Sequence, residues 1–180
     1  MPSSSAMPTF RSSGSFGKRQ EYIAVAELLR RGFDVYMTLV DDQQIDCVVR
    51  IEVDGHPAYI DVQIKARSKE AKQPGTFAAL EVRDPRPNFM FVFYSEGANT
   101  YWVMPSLDLV REATENKGGV TGDGANKGKF TIVFTNPRPD GTLSPRPRFD
   151  PWKKNWNAFT EMAAELARLA ARMDAHGRTN

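Results

Sequence analysis

The sequence predicts a mixed α/β (α+β) domain: a central mixed sheet flanked by helices, with an N-terminal helix, a three-stranded meander and a long C-terminal helix. Three patterns predict it. Apolar residues recur at helical spacing across residues 18–31. Two alternating runs flank Asp54 and Gly55. Trp152, Trp156, Phe159, Ala163, Leu166, Ala170 and Met173 step by four and three along one helical stripe.

Taken in order, residues 1–16 are punctuated by serine, glycine and proline and read as a flexible tail. Residues 17–175 read as a single domain and 176–180 as a flexible C-terminus. In the first helix Tyr22, Ile23, Val25, Ala26, Leu28 and Leu29 carry the period, and Gly32 follows as a C-terminal cap. Residues 33–40, 45–53 and 58–66 form three strands; 89–94 and 101–104 form two more, joined through Gly97 and Asn99. Residues 107–115 suit a short helix and 129–134 a strand. Residues 118–128, rich in glycine, lack a phosphate-loop pattern and read as a loop. Residues 136–149, rich in proline and arginine, read as an irregular crossing before Asp150 and Pro151 start the last helix. Helix, strands and closing helix together give the mixed class.

Bulk properties narrow the function. A chain of 180 residues, 41% hydrophobic and 26% charged, is long enough for one substantial core. A net charge of +2 is too mild to show a polyanionic partner, so any basic surface has to be local. The single cysteine, Cys47, excludes an intrachain disulfide and a cysteine-rich zinc site, and fits a reducing, cytoplasmic setting. No apolar run reaches the length of a membrane span or a secretory signal core.

The register of the central hairpin concentrates the chemistry. If Asp54 and Gly55 form a two-residue turn, Val53 opposes His56. Ile45, Cys47, Val49 and Ile51 then oppose Ile64, Val62, Ile60 and Ala58 on a buried face. The other face pairs Asp46 with Gln63, Val48 with Asp61, Arg50 with Tyr59 and Gln44 with Lys65. Opposed residues have Cβ atoms roughly 4.5 to 5.5 Å apart, near enough for a carboxylate and an amide oxygen to share one hard cation. Lys65 lies a diagonal step away, where an ammonium assists an attacking water or stabilises charge on phosphorus. Glu21 borders the buried face of the first helix and supplies a further carboxylate.

These residues resemble the PD-(D/E)xK nuclease superfamily, in particular its Holliday-junction resolvase-like and Mrr-type restriction endonuclease-like branch. Across residues 17–68, Gly17-Lys18-Arg19-Gln20-Glu21 is similar to the family's glycine-then-glutamate helix start. Asp46 is similar to its metal-binding aspartate, and Gln63-Ile64-Lys65 to its ExK or QxK tripeptide. The resemblance implies a restriction-endonuclease-like core and Mg2+- or Mn2+-dependent hydrolysis of DNA phosphodiesters, often by a homodimer. It implies metal ligation by Glu21, Asp46, Gln63 and Ile64, catalysis by Glu21, Asp46, Gln63 and Lys65, and DNA contacts from Lys18, Arg67, Lys69 and Lys72. Two departures stand out: no proline precedes Asp46, and Gln63 replaces the commoner glutamate.

Competing readings accompany these. Asp61 shares the Gln63 face and is a reserve ligand; Asp41 and Asp42 read as turn residues; His56 and His176 have no partners at metal spacing. Trp152 and Trp156 read as core or dimer contacts before base-stacking platforms. Lys65, Arg67, Lys69 and Lys72 against Glu70 form one basic segment, and Arg138, Arg146, Arg148, Lys153 and Lys154 against Asp140 and Asp150 another. The rival function is a non-catalytic nucleic-acid-binding or assembly subunit with a nuclease-like fold.

Overall fold

The computed structural model describes residues 13–39, 44–117 and 124–177. Helix α1 (Ser13–Arg30) carries Phe16, Gln20, Ala24 and Leu28 on one buried stripe at four-residue spacing. It starts before the expected residue 17, so residues 13–16 belong to the fold; residues 1–12 lie outside the described part. Its end is as the sequence implies. Gly32 adopts φ 85°, the Phe33 N–H donates to the Leu28 carbonyl at 3.3 Å, and the Gly32 N–H donates to the Leu29 carbonyl at 2.9 Å. This is a Schellman cap, whose left-handed position favours glycine.

Strands β1 (Asp34–Met37), β2 (Cys47–Val53) and β3 (His56–Arg67) form the meander. Asp54 and Gly55 both have positive φ, 52° and 80°, as a type I′ turn requires. The β2–β3 register runs from Val53 opposite His56 to Cys47 opposite Val62, as calculated from the turn. Strand β4 (Thr76–Leu80) leaves this sheet, β5 (Phe89–Ser95) returns parallel to β3, and β6 (Thr100–Pro105) pairs antiparallel with β5. The five-stranded order is β1-β2-β3-β5-β6.

Helix α2 (Ser106–Glu112) leads to β7 (Thr114–Glu115) and β8 (Phe130–Val133), which complete a three-stranded sheet ordered β4-β8-β7. Part of the glycine-rich segment, residues 118–123, lies outside the described part, as do Asp41, Asp42 and the side chain of His176. Strands β9 (Thr135–Pro137) and β10 (Leu143–Pro145) form a hairpin where an irregular crossing was expected. Helix α3 (Ala158–Gly177) closes the chain, later than Asp150 and Pro151 suggest. Those two residues lie in a 3-10 turn over Pro147–Trp152, and Lys154 at φ 53° then breaks the helical path. Trp152 and Trp156 therefore precede the helix, although Trp156 is buried in the core.

The sheet separates two cores because side chains alternate along each strand. Met90 and Val92 of β5 join Cys47, Val49, Ile60, Val62 and Ile64 beneath α1 and α3. Phe89, Phe91 and Phe93 point the other way, into an aromatic core with Phe77, Trp102, Phe134 and Phe149. Cys47 sits in the first core, and burial, helped by the charges of Asp46 and Glu21, pushes its thiol from about 9 up to about 12. The folded state thus keeps a proton that the unfolded chain gives up. The stability linked to this thiol is full below pH 9 and drains as the pH rises toward 12. At pH 8 we expect negligible labelling of the native protein by a thiol reagent and prompt labelling in denaturant. Equal rates in the two states would show that the thiol is accessible.

Candidate active site

The site is built where β2 and β3 part. In β3 the odd-numbered residues hydrogen-bond toward β5, as the Asp61 N–H does to the Asn88 carbonyl at 2.9 Å, so Ile64 turns its backbone polar groups toward β2. Continued register would give the Ile64 N–H the Ile45 carbonyl. It bonds instead to Asp46 Oδ2 at 2.6 Å, while the Thr38 hydroxyl donates to the Ile45 carbonyl at 2.6 Å and lies 3.1 Å from the Asp46 carbonyl. The Asp46 N–H slips to the Val62 carbonyl at 2.9 Å. Asp46 is therefore not paired squarely with Gln63, as expected from the register. Its carboxylate turns into the notch between the strands, beside the backbone of Ile64.

Gln63 and Lys65 sit opposite Phe91 and Phe93 in the parallel ladder and share their face of the sheet. Gln63 is 1% exposed, and its Oε1 has no hydrogen-bond partner. An orphaned buried acceptor costs roughly 1 to 3 kcal/mol, so this amide oxygen stands ready for a donor or a cation. Gln20 Oε1 on α1 is in the same condition. Sequence reasoning passed over Gln20, whose signal was its place on the stripe with Phe16, Ala24 and Leu28.

Glu21 forms an ion pair with Lys18 one turn earlier on α1. That hydrogen bond, more than the charges of Glu21 and Asp46 that add to it, raises the Lys18 ammonium above its ordinary value. Glu21 and Asp46 both act on Lys18 and on the Cys47 thiol, which places the two carboxylates in one electrostatic neighbourhood. Asp61, the reserve ligand, is taken by Arg86 at 2.6 Å. Among the described residues no three His, Cys, Asp or Glu side chains cluster as a metal site. An ion here needs amide or carbonyl oxygens besides Asp46 and Glu21, and Gln63 Oε1 and the Ile64 carbonyl are oxygens of that type.

Lys65 is half-buried and lines a cavity of about 290 Å3 with Gln44, Arg67 and Glu81. Gln44 was expected opposite Lys65; it meets it across this cavity and donates to Glu81 at 3.1 Å. Arg67 lines the same cavity, and Lys69 and Lys72 follow beyond the end of β3. The second basic segment is partly engaged within the fold. Arg148 pairs with Glu112 at 2.9 Å and Arg146 donates to the Val133 carbonyl at 3.2 Å.

The orphaned oxygen yields a stability test. Gln63→Met keeps the length of the side chain and removes the unpaired acceptor. Without added metal the variant should unfold about 1 kcal/mol later than wild type, or at least no earlier. Magnesium or manganese should stabilise wild type and leave the variant unmoved. A variant destabilised by several kcal/mol, or still stabilised by metal, would show that Gln63 has another role.

No protein-family model and no curated protein sequence matches the chain. Among solved structures it is similar to a bacterial homing endonuclease, I-Ssp6803I, at TM-score 0.55 and 19% identity over 88% of this chain and 98% of that one. A nuclease from a fusselovirus is more remote, at TM-score 0.41 and 14% identity over 71% of this chain and 86% of that one. None of the described helices is long and apolar enough to cross a membrane. The two-core mixed sheet with its flanking helices is thus a fold shared with that homing endonuclease.

Proposed function

We propose that the chain is a Mg2+- or Mn2+-dependent endonuclease that hydrolyses DNA phosphodiester bonds, of the PD-(D/E)xK type. The observation that carries this reading is the notch. The Asp46 carboxylate is fixed on the Ile64 N–H, and β3 also bears the buried, unpartnered Gln63 Oε1 and, two residues on, Lys65. The nuclease fold of the structural relative supports it. Asp46, Gln63, the Ile64 carbonyl and Glu21 are the ligand set. A divalent ion bound there neutralises phosphate charge and makes a nearby water more acidic.

The chain's own groups do the rest. Asp46 keeps its orientation through the Ile64 N–H, and Lys18 neutralises Glu21 until an ion replaces it as counter-charge. The Lys65 ammonium stabilises the charge that grows on the non-bridging oxygens as water, giving up a proton to solvent, forms its bond to phosphorus and a sugar oxygen leaves with the electron pair of the broken P–O bond and takes a proton from solvent. Arg67, Lys69 and Lys72 hold flanking phosphates.

Isothermal titration with magnesium and manganese, followed by incubation with a panel of labelled DNA structures, tests the proposal. Metal binding and metal-dependent strand cleavage are expected. DNA binding without metal dependence and without cleavage would instead establish a non-catalytic binding subunit.

A further inference from the structure

Four cations at and beyond the end of β3 differ from most other arginines of the fold. Arg83, Arg86, Arg111 and Arg148 each pair with a carboxylate. Lys65, Arg67, Lys69 and Lys72 form no ion pair among the described residues. They also line a series of neighbouring cavities. The cavity of about 290 Å3 beside Lys65 shares Arg67 and Ala78 with a second of about 300 Å3. The second shares Lys72, Gln73 and Thr76 with a third of about 820 Å3. The three cavities are therefore neighbours along one side of the fold, a trough from Lys65 to a large chamber.

The chamber has a definite chemistry. Among the described residues no carboxylate lines it; Lys69 and Lys72 do, with the hydroxyls of Thr131 and Thr135 and an apolar wall that includes Pro74 and Leu143. Two glycines allow its walls to close. A Cβ on Gly75 would lie 1.7 Å from Thr135 Oγ1, and one on Gly97 2.9 Å from Leu143 Cδ1. The carboxylate of the trough, Glu81, sits at the far end and is already held by Arg83 at 3.0 Å and Lys129 at 3.5 Å.

A cationic track alone suits any phosphate backbone. A track ending in a partly apolar chamber suits a strand whose bases are free, because the faces of paired bases are covered by stacking within the duplex. We propose that this trough binds an unpaired strand of the nucleic-acid substrate. Its phosphates lie along Lys65, Arg67, Lys72 and Lys69, and one base enters the 820 Å3 chamber. The assignment rests on Lys65 marking the cleavage site, and it makes substrates with single-stranded extensions the preferred class. Among the described residues the chamber has no aromatic lining, so the base is held by contact with the apolar wall and not by stacking on a ring.

The test uses the wild-type full chain with a chelator in place of magnesium, so that no strand is cut, with fluorescence anisotropy on a blunt duplex and on the same duplex with a short single-stranded extension. The extended DNA should bind about tenfold more tightly, from the added phosphate contacts and the apolar burial of one base. Asn136, exposed on β9 at the chamber lip, offers a block: Asn136→Leu, which narrows the entrance without adding an aromatic face, should reduce the preference and leave blunt-duplex affinity unchanged. Independently, Lys69→Ala with Lys72→Ala should flatten the log–log salt dependence for single-stranded DNA by about 0.7 for each phosphate that is no longer neutralised. Equal affinity for blunt and extended DNA, or a preference that survives both sets of changes, would overturn the trough. Failure of the nuclease reading looks different: wild type would still prefer the extended DNA yet cut nothing with magnesium or manganese.

Discussion

Lys65→Ala should slow DNA cleavage by about a hundredfold or more while the magnesium titration stays as in wild type. Lys65 lies two residues beyond Gln63 on the same face of β3 and supplies no oxygen, so its removal takes away stabilisation of developing charge and no ligand. Electrostatic and proton-transfer contributions of single groups commonly reach this size. Asp46→Ala should instead lose metal binding and cleavage together, because it removes both a ligand oxygen and the acceptor of the Ile64 N–H. Single-turnover cleavage paired with calorimetric titration separates the two. If Lys65→Ala cuts at the wild-type rate, or if Asp46→Ala binds magnesium normally, the assigned mechanism is wrong.

Phe134→Ala is the expected large effect on stability. The Phe134 ring is fully buried, stacks on Trp102 with centroids 4.5 Å apart and planes 13° apart, and meets Phe149 edge-on at 4.9 Å. Phe93 and Phe77 complete its surroundings at 5.1 and 5.8 Å. Truncating such a side chain leaves a cavity between the sheets and commonly costs about 3 to 5 kcal/mol. Urea denaturation followed by tryptophan fluorescence gives the number, with Phe134→Leu, which refills most of the space, as the milder control. A loss below about 1 kcal/mol for Phe134→Ala would mean that the aromatic core closes over the gap.

The fold was legible where local chemistry decides it. Asp54 and Gly55 accept positive φ, so the hairpin register followed from two residues, and Gly32 marked the end of α1. Strands β4, β9 and β10 were not legible, because they are short and held by long-range partners. The α3 boundary misled because Trp152 and Trp156 continue the apolar period while Lys154, with a positive φ, ends the helical path. At the site, Gln63 and Lys65 were readable from strand alternation. The turn of Asp46 into the notch was not, since it depends on a hydroxyl from another strand.

That hydroxyl has a consequence for how ligands are met. With its hydroxyl donating to the Ile45 carbonyl and its backbone N–H to the Asp46 carbonyl, Thr38 ties the bent start of β2 to the end of β1, and the Asp46 carboxylate is already oriented when folding is complete. Conformational entropy that a mobile acid loses on meeting an ion is here lost during folding, so encounter requires no rearrangement of this backbone. The edge strand β1 touches no substrate in this reading, yet it makes the notch a rigid receptor.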